Sequence, residues 1–204
     1  MGMNNNNNNN NNNNEIVFVT HNKGKIASAQ KYLKKAKLIP YDAELDEPRS
    51  DDLVQIATAK VKQAYEMVKK PCIAQDSGFY IDALNGFPKT FVNFSMDTIG
   101  VDGYLKLMEG IENRHCAFKE CLAYYDGKEI KYFYGLHEGE IAKEKTGISR
   151  KEKWSDLWYI FKPKNFDITL AEMDEVQREE RRKIDGSVSA IDCFAKWYES
   201  DERK

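Results

Sequence analysis

Hydrophobic and polar residues follow two patterns along the chain. Short runs of apolar, often β-branched residues at 15–20 and 71–74 predict buried strands. Apolar residues recur at intervals of three or four over 26–37 and 53–69, which predicts amphipathic helices. Strands therefore alternate with helices in the first third of the chain, as they do in α/β folds.

The pattern changes in the second half of the chain. Apolar segments at 116–125 and 129–135 flank Asp126 and Gly127, which predicts an antiparallel hairpin. A helical rhythm returns over 187–198 and predicts a final helix. Helices, the strands between them and a hairpin together predict an α/β domain with a mixed sheet.

Composition places the chain among globular proteins with one folded domain. It has 204 residues, of which 41% are apolar and 31% charged, and a formal net charge of −2. That balance gives no global positive field for polymeric nucleic acid or an anionic membrane surface. No apolar run approaches the roughly 20 residues that span a bilayer, and the four cysteines form no CxxC or zinc-type spacing. We therefore expect a cytoplasmic protein with reduced thiols.

The first fourteen residues differ in composition from the rest of the chain. Residues 4–14 are all asparagine. A polar homopolymer buries no apolar surface, so it cannot offset the entropy lost on ordering. We predict that residues 1–14 form a disordered tail and that residues 15–204 form the folded domain.

Polar residues follow the first predicted strand, at the point where the first helix begins. They include Thr20, Asn22, Gly24 and Lys25. Backbone N–H groups at a helix N-terminus, together with a hydroxyl, an amide and a lysine, suit a phosphate group. Many strand-to-helix turns have a similar composition, so a polar turn with a solvated lysine is the alternative.

A carboxylate follows the second predicted strand. Residues 75–78 read Gln-Asp-Ser-Gly and predict that this strand ends there, with Asp76 at its carboxyl end. Open α/β sheets bind ligands at this end of their strands, where a carboxylate can hold Mg²⁺ or orient a water molecule. A capping role for Asp76 in the following turn is the alternative.

An acidic loop and a helical lysine lie between these two segments. Asp46 and Glu47 precede the predicted helix over 53–69, and Lys60 lies within it. Glu47 could complete a metal site and Lys60 could neutralise phosphate charge. A solvated loop and an exposed lysine would explain the same residues.

Taken in chain order, these segments resemble the inosine triphosphate pyrophosphatase family, whose members act on non-standard purine nucleoside triphosphates. The resemblance is carried by Thr-x-Asn-x-x-Lys at 20–25, Glu47 with Lys60, Asp-Ser-Gly at 76–78, Asp-Ala-Leu-Asn-Gly-Phe-Pro at 82–88, and weaker matches at 161–163 and 169–173. It implies an elongated, two-lobed α/β fold with a mixed sheet and a central nucleotide cleft. It also implies a homodimer.

The resemblance further implies a reaction and a set of residue roles. The family hydrolyses a nucleoside triphosphate to the monophosphate and pyrophosphate with Mg²⁺. By position, Asp76 and Lys25 are implied as catalytic residues, and Glu47 and Asp76 as metal ligands, with Asp76 also placed to activate water. The residues implied in substrate binding are Thr20, Asn22, Lys25, Lys60, Ser77, Trp158 and Arg181.

The half of the pocket that would recognise the base departs from the family pattern. The residue before Asp76, usually acidic, is Gln75; the base-reading Asp falls on Trp158; and the family's Ser-His-Arg falls on 185–187, which read Asp-Gly-Ser. Replacing polar groups by an indole favours stacking, which tolerates any base, although Trp158 could instead be a core residue. Three functions stay open: a pyrophosphatase with altered base preference, a nucleotide-binding protein with little catalysis, and a protein that keeps the fold for another purpose.

Overall fold

A computed structural model describes residues 15–20, 22–149 and 153–200. The strands are β1 Glu15–Val19, β2 Lys37–Tyr41, β3 Cys72–Ile81, β4 Pro88–Lys89, β5 His115–Tyr125, β6 Ile130–Ile141 and β7 Phe161–Pro163. The helices are α1 Lys23–Tyr32, α2 Leu53–Val68, α3 Val92–Thr98, α4 Gly100–Leu107, α5 Glu175–Ile184 and α6 Ala190–Glu199. The tail predicted at 1–14 lies outside the described residues.

Seven strands of the described residues form one mixed sheet. Its order is β2-β1-β3-β5-β6-β7, with β4 beside the far part of β3. β1 runs parallel to β2 and β3, whereas the pairs β3–β5, β5–β6 and β6–β7 are antiparallel. The predicted α/β fold with a mixed sheet is confirmed.

Helices cover both faces of this sheet. Phe18 of β1 points into a core shared with α1 and α6, while Val17 and Val19 point into a second core beneath α2. Because both faces of β1 are covered, its apolar residues run consecutively instead of alternating with polar ones. A third core, which includes Phe79 and Phe161, packs near α4 at the far end of the hairpin.

The strand end predicted at 75–78 is wrong. β3 runs without a break from Cys72 to Ile81, because β5 pairs with it along all ten residues. Asp76 therefore lies in the middle of a strand and does not cap a turn. A local polar sequence suggested a turn, but pairing with a long neighbouring strand decided the backbone conformation.

Two other boundaries differ from the predicted ones. β6 continues to Ile141, beyond the predicted segment 129–135, because β7 pairs with its far end. The final helix begins at Ala190, later than the predicted residue 187. No helix in the described part of the chain is long and apolar enough to cross a membrane.

Candidate functional site

One side of β3 lacks a neighbouring strand partway along its length. β1 pairs with β3 at Cys72 and Ile73, and β4 pairs with it at Phe79 and Tyr80. Between these ladders, residues 74–78 have no strand partner on that side among the described residues; we call this stretch the β3 gap. Polar side chains and a ligand can approach β3 here, which a continuous sheet would prevent.

The turn after β1 forms one wall of the β3 gap. Asn22 caps α1, because its side-chain oxygen accepts the Lys25 backbone N–H at 3.1 Å. Its own N–H donates to Thr20 Oγ1, also at 3.1 Å. The Lys25 ammonium donates to the Gln75 carbonyl oxygen in β3 at 3.2 Å. Thr20, Asn22 and Lys25 thus meet at a helix N-terminus, where the helix dipole favours an anion.

The Lys25 side chain is partly buried. Burial lowers the pKa of Lys25, Asp76 acts in the opposite direction, and the positive charge of Lys60 lowers the pKa further. A buried ammonium depends on nearby negative charge to stay ionised. An anionic ligand at this position would therefore be favoured.

Lys60 joins the two predicted metal ligands. Its ammonium lies 2.7 Å from Glu47 Oε1 and 3.4 Å from Asp76 Oδ1. Lys60 projects from α2, Glu47 from the preceding loop and Asp76 from the β3 gap. Burial raises the pKa of Asp76, while Lys60 and Lys25 oppose that rise. The structure therefore brings together residues that the sequence separates by up to 51 positions, from Lys25 to Asp76.

The donor set at the β3 gap fits Mg²⁺ held jointly with a triphosphate. Glu47 and Asp76 both direct hard carboxylate oxygens towards one cation, the Lys60 ammonium. The described residues form no cluster of three or more potential ligands from His, Cys, Asp and Glu. Mg²⁺ commonly takes one or two carboxylates and completes its shell with water and substrate phosphates. Two converging carboxylates fit this mode of binding, and a Mg²⁺ site here stays a prediction.

A third carboxylate, which sequence reasoning missed, lies beside these residues. Glu120 in β5 pairs in register with Ser77 in β3, a predicted substrate-binding residue. Its Oε2 accepts the Ala190 backbone N–H at 3.0 Å, and its Oε1 lies 3.6 Å from His137 Nε2. Burial raises the pKa of Glu120, but His137, Ala190 and Lys25 outweigh burial and hold the pKa below its ordinary value. Glu120 is therefore a third carboxylate whose charge acts on Lys25, the lysine predicted to bind phosphate.

A signal for Glu120 does exist in the sequence. It lies between Phe118 and Leu122, and side chains two residues apart point to the same face of a strand. A charge on the apolar face of a strand is unusual, because a buried charge is costly unless it is partnered. The partners could not be identified from the sequence, because they come from β6 and from the start of α6.

In the half of the site attributed to base recognition, Trp158 is a buried residue. It is 5% exposed and belongs to the core that contains Phe161. Trp154 packs edge-on against it, with ring centroids 5.9 Å apart, and the Arg178 guanidinium lies over the ring at 5.3 Å. Its indole N–H is buried and has no acceptor among the described residues. This burial supports the core role of Trp158, and stacking on a base stays a prediction.

Arg181 is likewise occupied by neighbouring residues. Its Nη1 donates to Asp185 Oδ2 at 2.7 Å and to Ser187 Oγ at 3.3 Å. Asp185 also accepts the Ser187 backbone N–H at 2.7 Å. The Arg181 and Asp185 side chains are 9% and 0% exposed. The segment that replaces the family's Ser-His-Arg is thus held by its own contacts, and a substrate-binding role for Arg181 stays a prediction.

Comparison with known sequences decides the relationship. The sequence profile of the Ham1 family matches residues 16–197. The chain belongs to the Ham1 family. This Ham1 chain is 35% identical over 188 residues to the dITP/XTP pyrophosphatase of Thermococcus kodakarensis, covering 91% of this chain and 98% of that protein. It is 36% identical over 190 residues to the dITP/XTP pyrophosphatase of Methanopyrus kandleri, covering 92% and 97%.

Solved structures give the same relationship for the fold. The Ham1 protein of Staphylococcus aureus superposes with a TM-score of 0.76 at 25% identity, covering 93% of this chain and 100% of that one. The HAM1 protein of Coxiella burnetii superposes with a TM-score of 0.74 at 24% identity, covering 90% and 98%. The family resemblance and the fold predicted from sequence motifs are therefore confirmed.

Proposed function

We propose that this Ham1 protein is a Mg²⁺-dependent nucleoside triphosphate pyrophosphatase, which releases the monophosphate and pyrophosphate. The observation that carries the proposal is the meeting of Lys25, Lys60, Glu47 and Asp76 at the β3 gap. Displacement at phosphorus depends on positioning and charge neutralisation more than on covalent chemistry. The similar proteins named dITP/XTP pyrophosphatases support the same reaction.

The residues of the β3 gap have distinct roles in the proposed reaction. Thr20, Asn22 and the backbone N–H groups at the start of α1 bind phosphate oxygens, and Lys25 neutralises their charge. Asp76 accepts a proton from a water molecule. The water oxygen bonds to the α-phosphorus while the bond from that phosphorus to its bridging oxygen breaks, and pyrophosphate leaves with the electron pair.

The charges of the cleft support a requirement for a cation. Around Lys25, the charged neighbours are Lys60 and three carboxylates, namely Asp76, Glu120 and Glu47. These residues alone leave excess negative charge, which works against binding a triphosphate. Mg²⁺ bound there would neutralise phosphate charge and make the phosphorus more electrophilic. Glu47 and Asp76 would hold it, and the Lys60 ammonium would turn from these carboxylates to the phosphates.

The proposal includes an altered base preference. The polar residues that would recognise a 6-oxopurine are replaced, and Arg181 and Asp185 bind each other. A pocket without such polar recognition discriminates between bases by shape and stacking. A nucleotide-binding protein with little catalysis is the second candidate. It is favoured by Gln75, which leaves the carboxylate of Asp76 without an acidic neighbour in β3.

The proposal also includes a homodimer, as the family resemblance implies. Phe87, Phe91 and Phe94 are 40%, 42% and 71% exposed and lie close together in the chain. Two of them line a groove of about 470 Å³. Clustered exposed aromatic side chains are typical of protein interfaces. Sedimentation of the wild type and of Phe94→Ser tests this, because a dimer built on this patch would be weakened by the serine.

A substrate screen tests the proposed reaction directly. Inosine, xanthosine, adenosine, guanosine and pyrimidine triphosphates are incubated with the protein and Mg²⁺, and monophosphate and pyrophosphate are measured. We expect at least one triphosphate to give both products in equal amounts, and EDTA to stop the reaction. Triphosphates that bind without releasing pyrophosphate would favour the second candidate, and a lack of binding would reject both.

A further inference from the structure

Lys119 is a basic residue on the same face of the sheet as Asp76. Asp76 in β3 pairs in register with Cys121 in β5, and Lys119 lies two residues before Cys121. Paired residues point to the same face of a sheet, and so do residues two apart in one strand. Because Cys121 packs in the core beneath α2, Asp76 and Lys119 both lie on the α2 face. Such diagonal positions are roughly 7–8 Å apart, within reach of a long side chain.

Gly78 and Tyr80 shape the surface between these two side chains. Gly78 pairs with Lys119, and a Cβ at Gly78 would lie 2.8 Å from Cε2 of the Tyr80 ring. The ring therefore leans back over Gly78, in the direction of Asp76. Burial raises the pKa of Tyr80, and the charges of Asp51 and Asp76 raise it further. The Lys119 ammonium lies 4.7 Å from the centroid of this ring, so the ring holds the ammonium close to the part of the sheet that adjoins Asp76.

The charge of Lys119 is available to a ligand. Lys60 shares its charge with Glu47 and Asp76, which lie 2.7 Å and 3.4 Å from its ammonium. Lys119 is exposed, its ammonium contacts an aromatic ring, and within the described ranges no carboxylate lies at ion-pair distance from it. An ammonium has three hydrogen-bond donors. Phosphate oxygens are strong acceptors for such donors, so Lys119 complements an anionic ligand beside Asp76.

We propose that Lys119 is a third phosphate-binding lysine, after Lys25 and Lys60, and donates hydrogen bonds to phosphate oxygens of a triphosphate bound at the β3 gap. The inference rests on the proposed function, since that function brings a triphosphate to Asp76. An exposed cation–π contact is weaker than a charge-assisted hydrogen bond to phosphate. The ammonium can therefore exchange the Tyr80 ring for a phosphate oxygen, and the ring keeps it near the site until a ligand binds.

Binding of a triphosphate that cannot be hydrolysed tests this role. The α,β-methylene analogue of the best-bound nucleoside triphosphate has carbon in place of the oxygen whose bond would break. Calorimetry with Mg²⁺ compares this analogue with the parent nucleoside. We expect Lys119→Ala to raise the Kd of the analogue by about 10-fold, the range for a hydrogen bond to a charged group, and to leave the Kd of the nucleoside unchanged. The Kd of the analogue should also depend less on salt concentration, because one charged contact is lost. Lys119→Arg keeps the charge and should retain most of the affinity.

Lys131→Ala is the matched control. Lys131 is on the same hairpin, and its ammonium also lies over an aromatic ring, that of Trp197 in α6, at 5.3 Å. The control therefore removes the same charge and the same kind of contact on the α6 side of the sheet, and it should leave both Kd values unchanged. An unchanged Kd in Lys119→Ala, an equal loss for analogue and nucleoside, or an equal loss in Lys131→Ala would overturn the inference.

The same measurements separate this inference from the proposed function. Failure of the wild type to bind the analogue would reject both. Binding of the analogue that depends on Lys119, together with a lack of pyrophosphate release from every natural triphosphate, would support the inference and contradict only the proposed reaction.

Discussion

At the β3 gap, which we call the phosphate half after its proposed role, charged side chains from separate elements hold one another in place. The segments around Trp158 and Arg181, which we call the base half after the role that the family resemblance implies, are instead closed by their own packing. Lys25 and Lys60 reach the β3 gap from two helices. A metal ion could take the place of the Lys60 ammonium on Glu47 and Asp76, and a phosphate could take the place of these carboxylates on Lys60. In the base half, Trp158 is a core residue and Arg181 is paired with the buried Asp185. The charged groups at the β3 gap can exchange their contacts with one another for contacts with a ligand. The buried groups of the base half could not do so without a loss of stability.

This difference predicts two classes of variant. Substitutions in the phosphate half should impair nucleotide binding or turnover and change stability little. Substitutions in the base half should lower the free energy of unfolding, and this loss of stability would obscure any effect on base recognition. The four predictions that follow test this division, beginning with the largest expected effect.

Asp76→Asn should reduce kcat/KM for every triphosphate by about 10²-fold or more. The amide keeps the shape of the side chain but can neither accept a proton from water nor carry charge towards a metal. Pyrophosphate release at saturating Mg²⁺ measures the rate, and thermal unfolding should show little change in Tm. Full activity in this variant would remove Asp76 from the proposed mechanism.

Asp185→Ala should lower the free energy of unfolding by about 3 kcal/mol. Removing one partner of a buried ion pair leaves the other charge, here Arg181, without compensation. Denaturant unfolding measures the loss. Asp192→Ala is the control, because it breaks an i,i+4 pair with the exposed Lys196, and such pairs contribute little. Equal effects in the two variants would show that the base half is not closed as described.

Lys25→Ala should weaken binding of a triphosphate by about 10-fold, the range for a lost hydrogen bond to a charged group. Binding of the corresponding nucleoside should hardly change, because it has no phosphate to contact Lys25. Calorimetry with both ligands measures the difference, and Lys60→Ala should behave in the same way. Lys62→Ala, an exposed lysine on α2, is the control. If nucleoside and triphosphate binding weaken equally, the phosphates do not lie at the β3 gap.

The smallest effects are expected for base preference. Discrimination by apolar fit reaches roughly 10- to 200-fold, whereas buried polar recognition can reach about 10⁴-fold. We expect the preference for inosine over adenosine triphosphate in kcat/KM to be weak, about 10-fold or less at the low end of the apolar range, or another base to be preferred. Trp158→Phe should change the values for all bases by a similar factor, whereas Trp158→Ala would open a cavity in the core and destabilise the fold. A preference of about a thousandfold for inosine and xanthosine would show that polar recognition survives in other residues.

Local periodicity was sufficient to predict much of the fold. The apolar run at β1, the helical spacing in α2 and the Asp126–Gly127 turn of the hairpin each depend on neighbours within a few residues. The family motifs also predicted which groups meet at the β3 gap, because the resemblance assigns Glu47, Lys60 and Asp76 to one site. The roles of these residues stay predictions. The course of β3 through residues 75–78 could not be predicted in this way, since it depends on pairing with β5 more than 35 residues later.

The parts of the site that were not predicted depend on contacts between distant segments. Glu120 contacts His137 on the next strand and Ala190 at the start of the last helix, and both residues are distant from it in the sequence. From the sequence alone, Trp158 could stack on a base or belong to the core. Its burial between the hairpin and α5 supports the core role. Arg181 forms an ion pair with Asp185, one helical turn away. The spacing of the two residues is visible in the sequence, but the burial of the pair depends on the packing around it.

Gly135 shows how one residue can restrict what another position accepts. No positive φ requires glycine there. The requirement comes from outside: a side chain would meet Glu120 Oε2 at 2.3 Å and the Ala190 backbone nitrogen at 2.8 Å. Removing the carboxylate at 120 would not by itself admit a larger residue at 135, because the Ala190 backbone nitrogen would still lie 2.8 Å from the new Cβ, so Gly135 also determines how closely the start of α6 approaches β6.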